Sequence, residues 1–263
     1  MAKLILTYHA SRLESLDRHG ADVHALAADL AWLTEHRVPV MGLSALLDPA
    51  VEHGVAITFD DGIRLDGERY VHPRFGELPS MLDVLRVFKP IQPKLVATSF
   101  VIASPDARNA LAAGLAADYG EDLMHARWWR PAQQSGLIKL GNHSLDHNHP
   151  LVPRTAQRDN ERGHFLNITT EAEAEAEIAQ ASDVIEAESG VRPCHFAYPY
   201  GDVSPFLRDD WLPRRGPAIG LSAAFTTEPR PLSPDDDRWA LPRFVSGRDW
   251  NDSEGLAVLV KGE

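Results

Sequence analysis

The sequence predicts one α/β domain on a parallel sheet, closed toward a barrel, and three observations carry that reading. Short apolar runs rich in β-formers alternate with amphipathic helical patterns. Most of these runs are apolar at every position, as expected of parallel strands covered on both faces. The loops at 62–79, 149–168 and 229–239 are long, and long loops in α/β barrels build the active face. A chain of 263 residues can bury roughly three-quarters of its unfolded surface. No repeat or low-complexity linker divides it, so residues 1–263 read as a single domain.

The predicted strands are 3–8, 55–59, 95–101, 138–142, 195–198 and 223–226. After the first, Val23, Leu26, Leu30 and Leu33 recur at steps of three and four, one apolar stripe of a helix. Ala174, Ile178, Ala181 and Ile185 mark another. A capping box from Thr170 to Glu173 opens it and Gly190 ends it. The acidic run at 171–177 alternates with alanines and is expected to form the solvated outside of that helix.

Composition excludes several classes. At 44% hydrophobic and 24% charged residues the chain is neither disordered nor fibrous. Its one cysteine, Cys194, excludes an internal disulfide and fits a reducing compartment. A net charge of -12 argues against a nucleic-acid partner. His9 and Arg12 interrupt the first apolar stretch too soon for a secretory segment, and no run of ~18 apolar residues exists to span a membrane. The expectation is a soluble, cytoplasmic protein, unless a leader preceded this sequence.

Three segments at strand ends carry candidate chemistry. Thr58-Phe59-Asp60-Asp61-Gly62 closes the strand 55–59. Adjacent carboxylates are costly unless a cation or a proton separates their charges. Successive strand residues point to opposite faces, so the chain must turn for both to serve one site, and Gly62 permits the turn. A purely structural Asp-Asp-Gly turn is the alternative. Asn142-His143-Ser144-Leu145-Asp146-His147 leaves the strand 138–142. On one helical turn His143 and His147 share a face, the spacing that grips zinc, with His149 a further contributor ahead of Pro150. The third segment, Tyr198-Pro199-Tyr200-Gly201, makes a stiff turn able to present backbone N–H groups and an aromatic wall, with Tyr198 and Pro199 as candidate substrate contacts.

These segments, in this order, resemble the polysaccharide deacetylase family (carbohydrate esterase family 4, the nodulation-type chitooligosaccharide deacetylase domain), with its Thr-Phe-Asp-Asp-Gly, His-Ser/Thr-x-x-His and Pro-Tyr-Gly motifs. The opening Leu6-Thr7-Tyr8-His9 resembles the first strand of many members. The resemblance implies a distorted (β/α) barrel of about seven parallel strands. It implies Asp61, His143 and His147 as ligands of one divalent metal ion, usually zinc, with Asp60 as general base. The Tyr200 N–H would face the developing oxyanion. The implied reaction is metal-dependent hydrolysis of an N-acetyl amide, or an O-acetyl ester, on a sugar or oligosaccharide. An amidohydrolase of ureides or cyclic imides and a non-catalytic sugar-binding domain are the competing readings.

Two departures from the family pattern matter. Ala197 stands where many members carry an arginine that pairs with the catalytic aspartate. The last histidine is His195, so the family's Leu-x-His acid near the C-terminus is missing. Arg243 ends the last strand region, and barrel closure would bring it beside Asp60 in that arginine's place. Trp128, Trp129, Trp211, Trp239 and Trp250 are candidates to stack on sugar rings, Trp211 foremost, within an Asp209-Asp210-Trp211 stretch that resembles a family motif; core packing is the alternative fate.

Overall fold

A computed structural model describes residues 1–120, 123–152 and 162–262. In chain order its strands are β1 (Lys3–Tyr8), β2 (Gly54–Phe59), β3 (Tyr70–His72), β4 (Gly76–Leu78), β5 (Ala97–Val101), β6 (Ile138–Asn142), β7 (His195–Ala197), β8 (Ala223–Phe225) and β9 (Phe244–Val245). Seven make one parallel sheet in the order β8-β7-β6-β5-β2-β1-β9, while β3 and β4 form a separate antiparallel hairpin. Every residue of β2 and β5 is buried, which is why neither strand alternates apolar with charged residues. The sheet curls into a half-barrel. The chain from β8 to β9 spans the gap between its edges: Thr226 N–H donates to the Leu241 carbonyl, Leu241 N–H donates to Ala224, and Phe244 pairs with Leu6 of β1.

Register decides where the site lies. Tyr8 is opposite Phe59, Phe59 opposite Ser99, Val101 opposite Asn142, and Asn142 opposite Phe196. The ends of β1 and β2 match, and those of β5, β6 and β7 run two to three residues further, the stagger of a curled sheet. The residues that follow them, His9, Asp60, Ile102, His143 and Tyr198, leave the sheet along one edge, where α/β folds keep their sites.

Several expectations need correction. The loop at 62–79 contains the β3–β4 hairpin and a 3₁₀ turn, Arg64–Asp66. Of the loop at 149–168, residues 153–161 lie outside the described residues. The helix behind the Thr170–Glu173 capping box passes through a π-helical stretch, Glu175–Gln180, before Ala181–Ser189. The wider turn rotates the acidic face, and Glu177 is buried, accepting a hydrogen bond from Asp146 N–H, instead of solvated. The five tryptophans named above are at most 5% exposed and belong to the hydrophobic core. Trp250 meets Tyr8 edge-on and donates to Asp29, and Arg108 lies 4.4 Å over Trp129. They form no sugar-stacking groove. Among the described residues no helix is long and apolar enough to cross a membrane.

Candidate active site

At the end of β2 the chain turns through two left-handed residues, Asp61 at φ 72° and Gly62 at φ 68°. The second position excludes a side chain, because a Cβ on Gly62 would lie 2.5 Å from Val101 Cγ1. The turn lets both carboxylates face one cleft. Behind β6 the expected helical turn is absent. Ser144, His147 and Asn148 all have positive φ, and side chains hold the loop instead. Asn142 Oδ1 accepts from Ser144 N–H at 2.7 Å, Ser144 Oγ accepts from His147 N–H at 2.8 Å, and Asp146 Oδ1 accepts from Asn148 N–H at 2.8 Å. The two imidazoles still meet, their ring centroids 4.8 Å apart.

The Nε2 atoms of His143 and His147 each lie 3.8 Å from Asp61 Oδ1, and one ligand atom from each residue falls within 4.8 Å of the other two. His143 Nδ1 donates to the Ala197 carbonyl at 2.9 Å, an outer contact that turns its Nε2 toward Asp61. Burial, then the neighbouring His143, pulls the His147 pKa down to about 3, so this imidazole is neutral and free to ligate at neutral pH. One carboxylate and two imidazoles converging at this spacing fit a divalent metal ion and leave positions for water and substrate. His149 lines the cleft but lies outside this trio, its Nδ1 accepting from Leu151 N–H at 3.1 Å.

Arg243 meets Asp60 as expected from barrel closure. Its two terminal nitrogens lie 2.7 and 2.8 Å from the carboxylate oxygens, Nε donates to the Thr226 carbonyl at 2.9 Å, and the guanidinium sits 5.2 Å over the Phe100 ring. Burial alone would raise the Asp60 carboxyl; Arg243 and, after it, His143 outweigh burial and hold it well below the ordinary carboxylate range. Behind this pair Asp66 is pushed the other way, by burial and then by Asp61 and Asp60, and takes a 2.6 Å hydrogen bond from Ser99.

Tyr200 occupies the Pro-Tyr-Gly turn at φ 61°, 41% exposed, its ring 4.5 Å from that of His147. Burial and then Asp61 push its hydroxyl up to about 12, so it stays protonated. Tyr198, Pro199 and Trp211, expected as substrate contacts, do not line the cleft. All three are buried; the Tyr198 hydroxyl is satisfied by the Trp239 carbonyl at 2.8 Å, and Trp211 packs in the core with Phe196 and Leu207. Sequence reasoning overlooked His9, which lines the cleft near enough to Asp60 to act on its charge. The signal was present: His9 and Asp60 each follow directly on neighbouring, register-matched strands, and Asp60 N–H donates to the Tyr8 carbonyl.

Seven parallel strands with an Asp-His-His trio at their C-terminal edge define an α/β half-barrel with a candidate metal centre. The polysaccharide deacetylase sequence profile matches residues 48–210. The chain belongs to the polysaccharide deacetylase family, hydrolases of acetylated carbohydrate. No curated protein matches it. Among solved structures it is similar to a polysaccharide deacetylase from Bacillus cereus (17% identity, 99% of this chain and 69% of that one, TM-score 0.65). Similar too are the deacetylase PplD from Streptococcus pyogenes (16%, 99% and 98%, 0.64) and IcaB from Ammonifex degensii (19%, 93% and 91%, 0.60). At these identities the likeness is one of fold. Both His9 and Arg243 fall outside the profile's span.

Proposed function

We propose that this protein hydrolyses N-acyl groups, acetyl among them, on an amino sugar, using a divalent cation, zinc foremost, held by Asp61, His143 and His147. The observation that carries the reading is a carboxylate kept ionised by a buried arginine and placed beside the metal trio in one cleft of about 560 Å³. Binding alone has no use for such a base. The cation, when bound, supplies Lewis acidity toward the acyl oxygen and acidifies water. Asp60 takes the proton of the attacking water, and Arg243 fixes both oxygens of that carboxylate in place. The Tyr200 N–H faces the oxygen on which negative charge develops. His9, which lines the same cleft, protonates the departing amine and fills the part left by the absent C-terminal histidine.

The deciding experiment is product analysis after metal-loaded protein is incubated with acetylated sugars, ureides and cyclic imides. Release of acetate from the sugars alone supports the reading; turnover confined to ureides or imides overturns it.

A further inference from the structure

We infer that the cleft is built for an acyl group longer than acetyl, whose aliphatic tail lies along one wall of the site; the inference rests on the acyl-sugar reading above. That wall consists of Ile63, Ile102, Leu111, Leu115, Met124 and Leu151, lining the same cleft as Asp60 and Asp61. Ile63 follows the carboxylate turn after β2, and Ile102 follows β5. Leu111 and Leu115 are one turn apart on the helix Pro105–Tyr119. Beside Asp60, Asp61 and the histidines, polar lining comes from Ser11 after β1, Thr227 after β8 and Arg248 after β9.

The wall runs outward from Ile63, Ile102 and Met124, each at most 2% exposed, to Leu151, 59% exposed. A sugar ring needs partners for its hydroxyls or an aromatic face to stack on. The apolar wall offers neither, and Tyr200 is the one Phe, Tyr or Trp side chain among the described lining residues. The sugar therefore belongs against the polar lining and the acyl tail along the apolar wall. Gly114, between Leu111 and Leu115, keeps the wall recessed: a Cβ there would meet only Leu151 Cδ1, at 3.1 Å. An acetyl methyl would leave most of this wall uncovered, whereas a chain of methylenes covers it. In the reaction water oxygen bonds to the acyl carbon, the C–N bond breaks, and the products are a fatty carboxylate and a sugar ammonium that carries the proton.

The test compares N-acetyl-, N-butyryl-, N-hexanoyl- and N-octanoylglucosamine as substrates of the metal-loaded protein. Alongside, calorimetry measures binding of the released acids, acetate through octanoate, with no turnover needed. kcat/KM and acid affinity should both rise with chain length, by up to ~4-fold per methylene. Gly114→Leu fills the recess and removes a helix-interior glycine, so folding is not at stake. It should lower the octanoyl-to-acetyl ratio of kcat/KM by ~10-fold or more. Values flat or falling with length, or a ratio unmoved by Gly114→Leu, overturn the inference. Acid binding that tightens with length while no acylated sugar is cleaved would leave the acyl wall standing and sink the hydrolase reading instead.

Discussion

Asp60 and Arg243 carry opposite charges into a place where neither side chain is more than 4% exposed. Such burial is tolerated only because both carboxylate oxygens and the Arg243 Nε are hydrogen-bonded. Removing one partner strands the other, so Arg243→Ala should destabilise the fold by about 3–5 kcal/mol, read by denaturant unfolding. Arg243→Lys keeps the charge and loses the two-point grip. With Arg243 weakened, burial is less opposed and the Asp60 pKa rises. The acid limb of the kcat/KM profile should therefore move to higher pH in the lysine variant, and an unmoved limb would show that something else holds Asp60 ionised. His147 makes the opposite demand. Its folded pKa of about 3 lies below the unfolded value of ~6.5. Above ~6.5 both states are neutral and nothing is lost. Below it the unfolded chain takes a proton that the folded one refuses, so metal-free protein should lose about 2 kcal/mol between neutral pH and about pH 5. His147→Gln should flatten that loss in a metal-free thermal melt.

At the scale of elements, the strand ends were legible and the turns leaving them were not. Runs such as Gly54–Phe59 and Ile138–Asn142 announce buried parallel strands by composition alone, and Asp60, Asp61 and His143 follow from where the runs stop. The loop 143–149 reads as helical by histidine spacing. Its left-handed residues depend on backbone N–H groups donating to the Asn142, Ser144 and Asp146 side chains, which no periodicity encodes. Pairing of Arg243 with Asp60 could be foreseen because closure of a curled sheet brings first and last strands together. The burial of Trp211 and Glu177 could not, since it depends on the π-helical stretches Leu207–Trp211 and Glu175–Gln180. Gly62 is the one turn residue whose identity both sequence and structure demand. Gly62→Ala forces a Cβ into Val101 at positive φ, so it should cost about 1–3 kcal/mol of stability. Because the strain falls next to Asp61, metal affinity should drop as well; normal metal content would mean that the turn does not position the ligand.

At the scale of the whole molecule, charge sets how substrate and product meet the protein. The chain carries a formal net charge of -12, while the buried centre is locally balanced, Asp60 by Arg243 and Asp61 by whatever cation the trio holds. A neutral N-acylated sugar is indifferent to that field. Its deacylated product is an ammonium, and an oligosaccharide that has lost several acyl groups is a polycation. An acidic surface attracts such a product and slows its departure, to an extent that salt screens: the Debye length falls from ~30 Å at 0.01 M to ~3 Å at 1 M. Inhibition by deacylated oligosaccharide should thus weaken as ionic strength rises, and the effect should grow with the number of free amines. KM for the neutral substrate should stay nearly constant over the same range, because only the charged species feels the field. Progress curves at low and high salt, with added glucosamine oligomers of increasing length, provide the measurement. An inhibition constant independent of salt would mean that product is held by contacts inside the cleft and not by the charge of the protein as a whole.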